Sequence, residues 1–222
     1  MSSDRSVISD SLGVGLATGI YGVSFGAIAT ASGLSITQAC VLSLIVFTGA
    51  SQFAFVGVIA AGGAPLAGAA TAILLGSRNL FYGLSLAPHL KVRGLAKVAA
   101  AHVVIDESTA MAVTRKTPHQ ARLGFYWTGW SIFVLWNLTT FLGALAGNAI
   151  GDPRTYGLDA AVGAAFLGLL WPRLDSNATR LIAVIAAAAA LGFVPFTAAG
   201  MPIIFGGAIA VALGLAWRKK SA

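Results

Sequence analysis

Charge is scarce in this sequence. Asp, Glu, Lys and Arg make up 9% of its 222 residues, against about 25% in soluble domains. With hydrophobic residues at 57% and mean hydropathy at +0.85, the shortage excludes a water-soluble globular chain. Cysteine is nearly absent: Cys40 stands alone inside an apolar run, so an internal disulfide is ruled out and no redox compartment follows. Walker loops, dinucleotide fingerprints, metal-ligand spacings and haem attachment motifs are all missing. No cofactor and no metal is therefore expected, and transport, if it occurs, must draw on a gradient. Alternation of polar and apolar residues is lacking too, which excludes a barrel and leaves helices as the spanning structure.

What is present is long apolar runs. Eight of them, bounded by charges, Gly or Pro, cover about 12–31, 37–61, 66–88, 95–114, 123–150, 157–172, 179–193 and 201–217. A crossing needs about 20 apolar residues. The expected fold is an all-α polytopic transmembrane bundle of seven or eight segments, with the short sixth or seventh run as the candidate broken or re-entrant helix. No linker interrupts it, so 1–222 reads as a single transporter domain. A faint echo between 25–47 and 142–171 suggests repeat halves at about 12–114 and 123–217, and chance matching of Gly, Ala and Leu explains it equally well.

The net charge of +7 does not point to nucleic acid, because the basic residues sit at the ends of apolar runs. With eight crossings and the N-terminus inside, Arg5, Arg115, Lys116, Arg122, Arg173, Arg180, Arg218, Lys219 and Lys220 fall on the cytoplasmic side. Lys91, Arg93, Lys97 and Arg154 fall outside, and the excess favours both ends in the cytoplasm. The 88–97 loop, "PHLKVRGLAK", is the outlier, and a hidden re-entrant segment would explain it. A cleavable leader is disfavoured despite "ATA" at 29–31, since Asp4 and Asp10 outweigh Arg5 in the n-region.

Glycines four apart, Gly15 with Gly19 and Gly22 with Gly26, then Gly143, Gly147 and Gly151, would line helix faces and let backbones approach. Ordinary helix packing accounts for them.

Ionisable residues inside runs are few: Arg78 in the third, and His102, Asp106 and Glu107 in the fourth. Such groups cost roughly 2.5–3.5 kcal/mol to insert at mid-helix and tend to pair around a cavity. The third and fourth runs are joined by a short loop, so Arg78 is expected to meet Asp106 or Glu107. On a continuous helix His102 and Asp106 share a face and Glu107 points about 100° away. The pair serves either to fix helix register or to leave one acid for a proton. Uncharged polar groups cluster at Ser43, Thr48, Ser51 and Gln52, at Ser77, Asn79 and Tyr82, and at Asn137, Thr139 and Thr140. Gly49-Ala50-Ser51 is placed to relax the second helix at mid-membrane, and the amides of Gln52 and Asn79 must find partners if buried.

"GVSFG" at 22–26 matches a nucleophile pattern, with Ser24 as nucleophile and His102 as base. That pattern belongs to a strand-to-helix turn, whereas here it lies in a helical run, so no catalytic residue is expected. An intramembrane serine protease and a non-transporting or channel-like subunit are the alternatives to a secondary transporter.

The stretches "GIYGVSFGAIATASGLS", "SLIVFTGASQF", "LLGSRNLFYGLSLAP", "DESTAMA" and "WNLTTFLGALAGNAIGDPRTYGLDAAVGAAFLGLLWP" resemble the AzlC-type large subunit of bacterial branched-chain amino acid permeases. The likeness runs from about residue 13 to 172. It implies a multi-pass protein of the bacterial cytoplasmic membrane that exports leucine, isoleucine and valine, with methionine as a further substrate, beside a small hydrophobic AzlD-type partner. The family motifs fall on Gly49, Ser51, Gln52, Arg78, Asn79, Tyr82, Asp106, Glu107, Trp136 and Asn137. Thr48 and Asn79 depart from the residues that are frequent in the family, Ala and His, and put substrate preference in question.

The expectation is then a midplane amino-acid site. Arg78 would clamp the substrate carboxylate, Ser51, Gln52, Asn79, Tyr82 and Asn137 would complete the polar end, and Phe47, Phe53 and Phe55 would receive the branched side chain. Asp106, Glu107 and His102 are the candidates for ion pairing or proton coupling.

Overall fold

The computed structural model describes residues 4–150, 167, 170, 171 and 174–220. Helices make up the described chain, and no strand occurs among the described residues. Nearly all of the sixth run, with Gly151, Arg154 and Arg173, lies outside them, as does most of the second half of the internal echo.

The axis of the bundle is α9, Pro118–Ile150. Its 33 residues extend about 50 Å at 1.5 Å per residue, beyond the roughly 30 Å hydrocarbon core. One face of it, Ala121, Phe125, Thr128, Ile132, Trp136, Thr140 and Ala144, is buried at helical spacing. Against this face lie α1, Asp4–Gly19, and α2, Gly22–Ala31, which together form one long apolar span interrupted at Ile20 and Tyr21. The two glycine rows read from the sequence face each other. A Cβ at Gly26 would collide with the Thr140 carbonyl, one at Gly143 with the Val23 carbonyl, and one at Gly147 with Ala27. Backbone contact this close needs glycine, so both rows are packing seams. Thr139 Oγ1 adds a hydrogen bond to the Gly19 carbonyl at 2.5 Å, and Ser43 donates to Thr140 at 3.5 Å.

The register runs parallel. Asp4 pairs with His119 at 3.0 Å and Asp10 with Arg115 at 3.1 Å. Further along, Gly15 meets Ser131 and Gly19 meets Leu135. α9 therefore serves as a depth scale, with a basic end at 115–122 and a far end near 147.

Measured on that scale, the second and fourth apolar runs do not cross. The second forms α3, Ile36–Ile45, and α4, Gly49–Ala60, of about 15 and 18 Å, each too short to span. It reaches inward from the far end past Thr140 to Phe47, which touches Phe133. It then turns back, with Gly49 against Trp136 and Phe53 against Phe25. Gly33 and Leu34 before it share one groove with Ile59 near its end and Pro65 after it. The fourth run forms α7, Leu95–His102, and α8, Asp106–Val113. It rises from the basic end to Val103, beside Gly129, and returns to Met111, beside Gly124.

Between these hairpins the third run crosses as α5, Pro65–Gly76, and α6, Arg78–Leu90. It is kinked at Ser77, whose hydroxyl bonds the Leu74 carbonyl at 2.6 Å. It ends at the basic end, where Arg122 donates to the His89 carbonyl at 3.2 Å. One crossing, an odd number, separates the parallel α1–α2 and α9 spans. The same geometry corrects the sequence topology: the 88–97 loop lies at the basic end with Arg115 and Arg122 rather than opposite them. Re-entrant helices occur at the second run and at the fourth, the latter directly after the 88–97 loop whose charges suggested a hidden one; the expectation for the sixth run lies outside the described residues. The seventh is continuous, as α10, Asn177–Phe193, followed by a 3-10 turn at Val194–Phe196. The last, α11, Met201–Lys220, packs on α10 through Phe193 and Phe205, 4.9 Å apart.

Candidate functional site

Both hairpin tips break where β-branched residues disfavour helix. In α3–α4 the sequence Val46-Phe47-Thr48 precedes Gly49, and Thr48 is extended, with φ −157° and ψ 99°. In α7–α8 the break is Val103-Val104-Ile105. Ser108 secures the second break: its hydroxyl accepts from Ile105 N at 3.1 Å and donates to the Val103 carbonyl at 2.6 Å. Both tips stop at the depth where the kink in the third run starts α6.

The residues singled out from the sequence collect at these three breaks. Arg78, the first residue of α6, donates from Nη1 to Asp106 Oδ2 at 2.9 Å, so Asp106 is the acid that it meets. The side chains are 25% and 27% exposed. Asp106 and Glu107 occupy the first turn of α8, where the helix dipole favours carboxylates. His102 and Asp106 do not share a helix face, because the break at 103–105 lies between them. His102 instead enters an aromatic cluster, with ring centroids 6.1 Å from Phe47 and 5.3 Å from Phe133.

Of the three phenylalanines expected to receive a side chain, Phe47 alone stands at a tip. Phe53 packs with Phe25 and Trp136 at 5.6 and 6.4 Å. Phe55 turns the other way into the groove beside Leu34 and Ile59. Tyr82 is half-buried against the core. Thr139, Thr140 and Ser43 are spent on helix packing, as the bonds above show.

A set of polar atoms near the breaks lacks hydrogen-bond partners among the described residues. It comprises Ser51 Oγ, both amide atoms of Gln52, Arg78 Nε, Asn79 Oδ1, Trp136 Nε1 and Asn137 Oδ1. Asn137 does spend its Nδ2 on the Phe133 carbonyl, at 2.8 Å. Ser51 is 1% and Gln52 0% exposed. An unpaired buried polar group costs about 1–3 kcal/mol, so this cluster is the candidate site for a polar ligand. Ser51 Oγ abuts Gly76 at the kink, 3.0 Å from where a Cβ would stand, which joins α4 to the Arg78 end of the site.

The family profile described as AzlC protein matches residues 13–150. The chain belongs to the AzlC family. The matched stretch contains both hairpins, the kinked crossing, the α1–α2 span from Gly13 onward and the α9 span, hence every site residue above. An uncharacterized membrane protein of Archaeoglobus fulgidus is 33% identical over 172 residues, covering 77% of this chain and 75% of that one. An uncharacterized membrane protein of Haemophilus influenzae is 22% identical, covering 72% and 68%. The branched-chain amino acid transport protein AzlC of Bacillus subtilis is 24% identical over 149 residues, 66% of this chain and 58% of that protein. No solved structure matches.

This AzlC-family chain is thus a membrane protein with an ion pair and, among the described residues, unpartnered polar groups around three helix breaks. Phe133 and Ser108 were missed in the sequence. The signal for Phe133 is its place one helical turn before Asn137. Ser108 follows a β-branched triplet, where a side-chain hydroxyl is needed to satisfy the freed backbone. The protease pattern is not assembled: Ser24 is exposed on the outer side of α2, while His102 is held by Phe47 and Phe133.

Proposed function

We propose that this chain is the large subunit of a secondary transporter that exports leucine, isoleucine and valine, with methionine as a further substrate, across the bacterial cytoplasmic membrane. It acts as a transporter rather than an enzyme, beside a small hydrophobic AzlD-type subunit. The observation that carries the reading is the Arg78–Asp106 pair, which ties the kink of the crossing span to the tip of the α7–α8 hairpin. Supporting it is the branched-chain amino acid transport for which the Bacillus subtilis relative is named.

In this reading, the basic end is cytoplasmic, because Arg5, Lys91, Arg93, Lys97, Arg115, Lys116 and Arg122 gather there. The hairpins enter from opposite faces and close on an amino acid held between them. Asp106 holds one edge of the Arg78 guanidinium, and Nε on the other edge faces the substrate carboxylate. Asn79 and Asn137 complete the polar end, and Phe47 bounds the side-chain pocket. A proton taken by Asp106 loosens the pair and lets the α7–α8 tip move, which couples the cycle to the proton gradient. Glu107, beside it in the same first turn, is the second proton acceptor.

The test is efflux of preloaded radiolabelled leucine, isoleucine, valine and methionine from cells carrying this chain, with and without the small subunit, before and after a protonophore. Efflux that needs the subunit and collapses with the protonophore supports the reading. Equal retention of all four by carrying and empty cells refutes it.

A further inference from the structure

The first turn of α4 is the feature that the proposed cycle leaves without a job. We infer that it is the principal seat of the substrate's carboxylate, received by the backbone N–H groups of Gly49, Ala50 and Ser51 together with the side chains of Ser51 and Gln52. The inference rests on the amino-acid reading above and names the group recognised.

α4 begins at the hairpin tip and is 12 residues long. No side chain caps it, and its first internally bonded amide is Gln52 N, to the Thr48 carbonyl at 3.1 Å. The three N–H groups ahead of Gln52 therefore have no acceptor within the helix. At mid-membrane, water is scarce to satisfy them, and the helix dipole adds positive potential at the same place. By contrast, Ser35 and Ser176 cap α3 and α10 at the membrane edges.

The second observation is independent of the backbone. Ser51 and Gln52 are 1% and 0% exposed, and neither side chain has a hydrogen-bond partner among the described residues. Side chains in a first turn lean back towards the helix start, which sets the Ser51 hydroxyl and the Gln52 amide on the side of the three N–H groups. Donors so arranged, with no acidic residue between positions 48 and 60, suit an anion. Ser51 abuts Gly76 at the kink that begins α6. A carboxylate seated on α4 thus lies on the Arg78 side, and the arginine steers and completes the site rather than forming it alone. The branched side chain then points towards Phe47.

Binding to the purified full-length protein in detergent separates this seat from the transport reading. The probes are leucine, 4-methylpentanoate, which lacks the ammonium, and isopentylamine, which lacks the carboxylate. Wild-type protein is expected to bind the first two and to bind isopentylamine at least tenfold more weakly. Gln52→Glu is expected to weaken leucine and 4-methylpentanoate at least tenfold while strengthening isopentylamine, a reversal that loss of structure does not produce. Ser51→Ala, a smaller change, weakens both carboxylates severalfold. Carboxylate affinities unchanged in both variants, or wild-type binding of isopentylamine as tight as leucine, overturn the seat. If 4-methylpentanoate binds and leucine does not, the seat stands and the amino-acid reading falls. If no carboxylate binds to the wild-type protein, the seat is wrong.

Discussion

Phe47 and His102 stack with ring centroids 6.1 Å apart, although Phe47 lies just past the end of α3 and His102 ends α7, helices that enter the bundle from opposite faces. Phe133 closes the triangle at 5.1 and 5.3 Å. Each hairpin alone is too short to span the membrane. They meet tip to tip at these three rings, and the Arg78–Asp106 pair belongs to the same layer of helix breaks. In the proposed transport cycle, a small tilt of one hairpin would open one face without opening the other, as alternating access requires.

The re-entrant topology predicts a labelling pattern. In a Cys40→Ser background, Lys97→Cys and Lys116→Cys react with a membrane-impermeant maleimide from the same side. Ser35→Cys and Gly62→Cys both react from the other. Eight simple crossings would instead put Lys97 and Lys116 on opposite sides.

The ion pair predicts non-additive stability. Removing Asp106 leaves Arg78 in an apolar setting, so Asp106→Ala is expected to lower stability by about 1–3 kcal/mol, discounted for partial exposure. The double change Arg78→Met with Asp106→Leu costs less than the two single changes added, with a coupling of about 1 kcal/mol or more. Thermal unfolding of the four purified proteins in one detergent measures it, and additive effects would dissolve the pair.

The glycine seam predicts a contrast between positions. Gly26→Ala drives a methyl into the Thr140 carbonyl and is expected to cost at least about 1–3 kcal/mol, the usual range for overpacking. Gly13→Ala, with nothing within 4 Å, is expected to be neutral or stabilising by up to about 1 kcal/mol, since alanine is the better helix former. Melting temperatures that move alike in both variants would contradict the seam.

Ser108 predicts loss of function without contact to substrate. Ser108→Ala leaves Ile105 N without the hydroxyl that it bonds and costs about 1–2 kcal/mol, in the range of a lost cap or unpaired amide. Because Asp106 starts the helix that Ser108 steadies, transport is expected to fall further than protein yield. Ser108→Thr, which keeps the hydroxyl, should recover most of it.

Apolar length was legible in the sequence because the bilayer imposes it. Direction was not. A run of 25 apolar residues that turns back at Val46-Phe47-Thr48 has the same hydropathy as one that crosses. The clues were chemical rather than hydropathic: β-branched residues ahead of Gly49 and Asp106, and three basic residues stranded in the 88–97 loop. The charged and amide residues were found readily, since Arg78, Asp106 and Gln52 are conspicuous against Leu and Ala. Their partners depended on the breaks. The i,i+4 argument for His102 and Asp106 assumed a continuous helix, and Ile105 at φ −133° and ψ 174° removes that assumption. Phe133 resembles any core phenylalanine until two hairpin tips are placed upon it.

The most direct test of the account is leucine-driven proton movement in proteoliposomes holding this chain with its small subunit, read by an enclosed pH-sensitive dye alongside labelled leucine flux. The account predicts that wild-type protein moves leucine and protons together. It predicts that Asp106→Asn still exchanges leucine for leucine but loses the proton signal. A variant that keeps both fluxes coupled as in the wild type would contradict the role given to the Arg78–Asp106 pair.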